Sequence, residues 1–434
     1  MGKWIQTTLW ELGKISTSSV DKKVVKSQKQ IKLLNYMDVY RSNIIDSKID
    51  FMIVTAPDAQ RLTSGVMLWD VFFTPSSETP DDIWHSSVCI ENIDNLLYSY
   101  HLVRLRFIKQ IDNKFKWYIF NFADTRKLFE RNCNGITRYT LSVGVFQDAS
   151  IYYPESLEEQ QRIADILTTV DNAIDSVQSL IDKHELIKQG MMDDLFTRWV
   201  DPETGSLRPH PSIAPQLYQD SELGLIPKEW EVKRLQELLS EKIIISHLDW
   251  NHWWLYPKSH EFVEFWVPYV SANAILSGDV DYKNVKFLPK DRASKFVKWV
   301  AEDGDVLFAH NATVWPAAIL ETKLSYMILS TTLTYYRCNK EKLQNNYLLN
   351  YMRSSLFQDQ CSAIMWQTTR NQIPITTQRT LNFVMPNYIE QWIITEKIEW
   401  SNNLIKSFKY QKQKLLLQKQ WLMQDLLSGK VRVI

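Results

Sequence analysis

Asp305, followed by Glu321-Thr322-Lys323, has the Asp…Glu-x-Lys order of metal-dependent nucleases. Two carboxylates in that order could hold Mg²⁺, and the lysine could steady a nucleophilic water. Asp70 stands in the matching place earlier in the chain, yet no Glu-x-Lys follows it. A nuclease in only one of two matching segments is a poorer reading than a solvated strand pair. Other catalytic patterns are missing from the sequence. It has no GxxxxGK[ST] phosphate loop, no Gly-rich turn after a strand, no Asn-Pro-Pro-aromatic segment, no paired histidines at helical spacing and no GxSxG. No catalytic or metal-ligating residue is therefore assigned.

Residues suited to binding are more plentiful. Lys283, Lys286, Lys290, Arg292, Lys295 and Lys298 cluster with only Asp291 against them, a set that can neutralise phosphates. Thr368-Thr369-Arg370-Asn371 offers an arginine for guanine and an asparagine for adenine in a major groove. Thr137-Arg138-Tyr139-Thr140 lies near the same place in the first half. Ser76-Ser77-Glu78-Thr79 and His310-Asn311-Ala312-Thr313 are loops of short donors and acceptors, each following an apolar strand. Asn35, Tyr36, Tyr100, His101 and Asn273 add to the set. Each such residue alone serves as readily as a turn or cap, and a solvated helix face accounts for the lysines equally well.

These residues must be positioned by something, and one pattern organises the chain. The stretch from Leu157 to Phe196 recurs from Ile389 to Leu427 at a single offset of 231, without a gap. That offset lays Glu159 on Glu390, Ile163 on Ile394, Leu167 on Ile398, Lys188 on Lys419 and Leu195 on Leu426. Such a match is a duplication. Ile163, Leu167, Val170, Ile174, Val177 and Ile181 alternate steps of four and three, the seam of a helix packed on another long helix. Fully helical, each copy would run about 60 Å at about 1.5 Å per residue, and its natural partner is the other copy. The blocks ahead of the helices repeat too: Trp4-(x4)-Leu9 answers Trp230-(x4)-Leu235.

The expected fold is α+β: two tandem α/β blocks joined by two long helices in an antiparallel coiled coil, pseudo-twofold symmetric. The expected boundaries are a first block at 1–153, the first helix at 154–198, a Pro-rich extended connector at 199–225, a second block at 226–385, and the second helix with its tail at 386–434. The 434 residues carry 50 basic against 50 acidic side chains, so any nucleic-acid contact must come from local patches. Four scattered cysteines suit free thiols in a reducing compartment. With no apolar run of membrane length and no signal-peptide core, a soluble cytoplasmic protein is expected.

Pro-(x4 or x3)-Glu-Gln-(x2)-Ile opening a long helix that closes Met-x-Asp-Leu-Leu/Phe, in 154–196 and again in 386–427, resembles the specificity subunits of type I restriction-modification systems. The Gly224-Leu225-Ile226-Pro227-Lys228-Glu229-Trp230 entry and the Ser428-Gly429-Lys430-Val431-Arg432-Val433 ending are similar to that family as well. The resemblance implies two target recognition domains that each read half of a bipartite double-stranded DNA site, with the helices setting the gap. It also implies two modification (methyltransferase) subunits and two restriction subunits as partners. S-adenosylmethionine, ATP and Mg²⁺ would belong to those partners, with no cofactor and no catalysis in this chain. The alternatives are a Mg²⁺-dependent nuclease using Asp305, Glu321 and Lys323, and a coiled-coil adaptor that binds only protein.

One departure stands out. The chain has 11 Gly and 17 Trp. Trp69 stands where the family pattern and this chain's own Gly304 have glycine. Trp84, Trp250, Trp253, Trp266, Trp315 and Trp366 also occupy sites suited to glycine or a small residue. The chain thus reads as altered, naturally or by design, at some of these positions. Ordinary strand geometry at Trp69 would count against strain there.

Overall fold

The computed structural model describes residues 3–198, 200–201, 204–247, 255–276, 278–366 and 371–433. Two compact units divide the chain: unit 1 is Met1–Ser179 with Lys409–Ile434, and unit 2 is Leu180–Phe408. Both long helices are present, Leu157–Thr197 and Tyr388–Leu427. They start three and two residues later than the expected boundaries, for a local reason. Ser156 Oγ accepts the Glu159 amide (3.4 Å) and Asn387 Oδ1 accepts the Glu390 amide (3.0 Å), so each helix begins after a side-chain cap.

Repetition extends to the atoms around those caps. Gln160 Nε2 donates to the Pro154 carbonyl and Gln391 Nε2 to that of Pro386. Trp4 Nε1 donates to Glu159 Oε1 (3.2 Å), and Trp230 Nε1 donates to Glu390 Oε2 (3.0 Å). The two glutamates then diverge. Arg432 clasps Glu159 through Nε (2.6 Å) and Nη2 (2.7 Å), which holds its carboxyl below the usual range. Glu390 is fully buried, and burial pushes it up to about 7.

Within unit 1 the helical segments run antiparallel: Lys419 meets Asp171 (2.6 Å) and Lys412 meets Gln178. Ile163, Ala164 and Leu167 share one core with Leu426 and Leu427. Within unit 2 the ring of Phe408 lies 5.3 Å from that of His184, while Met192, Leu195 and Phe196 share a core with Ile394 and Ile398. Each fully buried Leu or Ile contributes about 1.5–3 kcal/mol, against about 0–1 kcal/mol for an ion pair near the surface. The apolar seam, not Lys419–Asp171, holds the helices.

Unit 1 carries a five-stranded sheet in the order Gly13–Thr17, Val103–Phe107, Val71–Phe73, Ser86–Cys89, Ile44–Ile45. Beside it is a three-stranded sheet, Met52–Ala56, Lys29–Leu34, Leu96–Tyr98. Unit 2 has two four-stranded sheets: Ile244–His247, Leu333–Cys338, Val306–Asn311, Thr313–Ile319, and Lys286–Leu288, Val267–Val270, Met327–Leu329, Val300–Ala301. A short two-stranded pairing closes each unit before its helix, Trp4–Thr8 with Ser150–Pro154 and Glu231–Arg234 with Asn382–Met385.

The connector is not simply extended. Tyr218–Ser221 and Gly224–Pro227 form a hairpin, with Gly224 at φ 90°, and Arg208 is tied to Glu229 (2.7 Å). The prolines break helix, but a turn residue with positive φ brings the chain back on itself. Among the described residues, no helix is long and apolar enough to cross a membrane.

Candidate nucleic-acid interface

The strand Val71–Phe73 leads into Ser76–Ser77, which pairs with Tyr139–Thr140. In unit 2 the strand Val306–Asn311 ends in a bridge between Asn311 and Gln372, and the Ala312 amide donates to the Asn371 carbonyl (3.0 Å). The same construction thus occurs in each unit. A strand leaving the core is stitched at its tip to the segment that precedes the closing strand of the block.

In unit 1 this tip forms one wall of a cleft of about 750 Å³, lined by Tyr36, Ser76, Ser77, Thr79, Asp82 and Arg138 among others. Tyr36 donates its hydroxyl to the Ser76 carbonyl (2.6 Å), and Arg138 reaches Ser76 Oγ (3.3 Å). Five of the expected binding residues therefore meet here, with Tyr139 in the adjoining strand. Asn35 is buried just before the helix Tyr36–Arg41, its amide donating to Asp38. Tyr100 and His101 lie together, ring centroids 3.8 Å apart. Burial first, then Lys22 and Arg138, hold His101 below its usual value.

Unit 2 disperses more of its candidates. Thr313 sits at the tip, half-buried like Asn311, and Asn371 is exposed. Thr369 and Arg370 lie outside the described residues, as do Trp250 and Trp253. His310 is buried, its Nδ1 3.1 Å from the Ile373 carbonyl, and burial pushes it down to about 4. It is a neutral prop beneath the tip. Asn273 is exposed on the short turn Ala272–Ile275. The basic cluster is not one helix face. Lys283, Lys286 and Lys290 fall on a 3₁₀ turn, a strand and a four-residue helix. Lys290 Nζ lies 4.7 Å above the ring of Trp266, and Arg292 is engaged with Glu261 (2.6 Å) and the Leu255 carbonyl (2.8 Å).

Asp305 is explained by structure. It is buried, receives Arg337 through Nε (2.9 Å) and Nη2 (2.8 Å), and accepts the Glu302 amide (2.8 Å). Asp70 does the same with Arg106 (2.8 and 2.6 Å) and the Met67 amide (2.9 Å). A pair built identically in the half without Glu-x-Lys serves the fold, while Glu321 and Lys323 are exposed. Among the described residues, no three His, Cys, Asp or Glu side chains are grouped to hold a metal ion.

Asp82, Tyr40 and His85 escaped the sequence reading. Asp82 accepts from Tyr40 (3.0 Å), Ser77 (3.2 Å) and His85 (3.1 Å). A signal was available: the helix offset of 231 also lays Trp84 on Trp315 and hence Asp82 on Thr313.

The arrangement defines a class: α+β units with polar strand tips, each closed by long helices in antiparallel pairing. Comparison with known proteins agrees. A family model described as the type I restriction modification DNA specificity domain matches residues 87–185. The MjaVIII type I restriction enzyme specificity subunit of Methanocaldococcus jannaschii is 28% identical over 293 residues, covering 67% of this chain and 64% of that protein. The MjaX specificity subunit of the same organism, itself described as putative, is 28% identical over 280 residues, 64% of this chain and 58% of the relative. The match to each thus spans less than two thirds of the relative's length. A chain from a solved type I restriction-modification system has a TM-score of 0.64 at 15% identity, covering 99% of this chain and 98% of the other. The S subunit from M. genitalium has a TM-score of 0.51 at 12% identity over 98% and 96%. The chain is similar in sequence to these specificity subunits and shares the fold of the solved chains.

Proposed function

We propose that this chain is a non-catalytic, sequence-specific DNA-binding subunit of a type I restriction-modification enzyme. Each unit reads one half of a bipartite duplex target, and the chain scaffolds two modification and two restriction subunits in the cytoplasm. S-adenosylmethionine, ATP and Mg²⁺ act in those partners. The observation that carries this reading is the recurrence, at one place in both units, of a polar strand tip on a rigid core. Ser76 and Ser77 are buried, but Thr79 and Asn371 are exposed and Asn311 and Thr313 half-buried at the tips, where short donors and acceptors suit base edges, whereas phosphate contacts alone would ask only for positive charge.

A gel-shift over a panel of duplexes, with the modification subunit present, is expected to retard a subset of sequences. Co-purification of the subunits with no retardation of any duplex would leave a protein-only adaptor and end this reading. Mg²⁺-dependent cleavage by the isolated chain, lost in Glu321→Ala, would replace it with the nuclease.

A further inference from the structure

The geometry points to Asp82 as a specificity-determining residue of unit 1, one that accepts a hydrogen bond from the exocyclic amino group of a base. This rests on the DNA-reading proposal above. Tyr40, Ser77 and His85 fix the carboxylate with three donated hydrogen bonds, leaving acceptor capacity on a group still 40% exposed. Tyr40 is itself braced between Tyr36 and His85, with ring centroids 5.9 and 4.3 Å away. Arg138 lines the same cleft. A fixed acceptor and an arginine donor in one cleft match the major-groove edge of a G·C pair, where cytosine N4 donates and guanine O6 and N7 accept.

The strand registers locate the counterpart in unit 2. Phe73 pairs with Ser86 and Phe308 with Ala317, so counting back four residues sets Asp82 against Thr313, although the loop is four residues longer in unit 1 and Asp82 lies on a 3₁₀ turn where Thr313 begins a strand. By that count an anionic acceptor in unit 1 corresponds to a neutral hydroxyl in unit 2, and the two half-sites are expected to differ in the base that Asp82 reads.

The test is selection from a randomised duplex library by the full chain with its modification subunit, comparing wild type with Asp82→Asn. One base-pair position in one half-site is expected to lose roughly 10- to 100-fold of its discrimination. The other half-site and the binding of non-specific DNA should be unchanged. An unaltered selected sequence overturns the role of Asp82 and leaves the DNA reading standing. If the wild type selects no sequence, both fall.

A separate observation concerns the tryptophans. Among the described residues, Trp69 (φ 67°), Trp84 (φ 71°), Trp266 (φ 132°) and Trp315 (φ 103°) adopt backbone that side chains with a Cβ rarely adopt. Trp69 donates its amide to the Cys89 carbonyl (2.7 Å) as Gly304 does to that of Leu320 (2.8 Å), and Gly304 has φ 87°. Trp84 and Trp315 occupy one repeated position by the same registers. Trp421 falls on Gly190 by the helix offset. We infer that the polypeptide made in its source cell carries glycine at 69, 84, 266, 315 and 421, as happens when a triplet written as tryptophan in one genetic code is decoded as glycine in another.

Peptide mass spectrometry of the chain isolated from that cell is expected to report glycine at these positions; tryptophan there overturns the inference. For the chain as written, Trp266→Gly should raise the ratio of folded to unfolded protein roughly tenfold, since its half-exposed ring gives up little packing. Trp266→Ala keeps a Cβ and should not do so. An equal gain from alanine would overturn the backbone argument.

Discussion

Asp305→Ala is expected to destabilise unit 2 by about 1.5–3 kcal/mol, because it strips the part-buried Arg337 of its bidentate partner. The side chains of Asp305 and Arg337 are 2% and 25% exposed. Glu302, 3.0 Å from Arg337 Nη1, is half exposed and compensates little. Asp70→Ala should do the same to unit 1 through Arg106. Hydrogen-exchange mass spectrometry distinguishes the two, since loss of protection over 306–338 should follow the first substitution and over 71–107 the second. A change below about 1 kcal/mol in both would mean that the repeated pair does not hold the sheets. The same experiment separates fold from catalysis: a metal-holding aspartate could be replaced without melting the strand that bears it.

Between pH 4 and pH 8 wild type is expected to lose about 3 kcal/mol of unit 2 stability relative to Glu390→Gln, while both proteins share the opposite response of His310, which burial holds down to about 4 and which stabilises the unit as the pH rises. A carboxyl raised from an unfolded value near 4.5 to about 7 binds more protons folded than unfolded. Its contribution is therefore fully present below pH 4.5 and lost as the pH rises through about 7. At about 1.4 kcal/mol per pH unit, the loss approaches about 3 kcal/mol by pH 8. Glutamine keeps an acceptor for Trp230 without the buried charge. Glu159 works in the opposite direction, since Arg432 lowers it and its contribution is lost in acid. Urea midpoints at pH 5 and pH 8 for wild type and Glu390→Gln provide the measurement. A parallel pH response in the two proteins would remove Glu390 as its source.

The long helices were legible because a seam needs only the spacing of apolar residues, and Ile163, Leu167, Ile174 and Val177 are all buried. Their antiparallel pairing followed from the duplication. The strand tips were legible as polar segments after apolar runs, but Ser76 and Ser77, expected in an open loop, fold into a buried strand, and Thr79 and, in part, Thr313 keep the exposure. Asp82 was not, because Pro80-Asp81-Asp82 resembles any polar turn. Its meaning depends on donors from Tyr40, Ser77 and His85 that only the folded strands assemble. Arg292 shows the converse: a basic residue in a basic run looked available, but the fold delivers Glu261 to it from 31 positions away. The connector hairpin was hidden because its closing turn depends on one glycine rather than on any periodic signal.

Unit 2 is a continuous stretch of chain, whereas unit 1 is assembled from both ends of it. The clasp of Arg432 on Glu159 spans 273 positions. On the ribosome, therefore, unit 2 emerges with all its parts while unit 1 still lacks Leu426, Leu427 and Arg432. Vectorial synthesis makes the earlier-born unit the later one to be sealed. Its core, with Ile163 and Leu167 uncovered, is what a chaperone would meet in the interval.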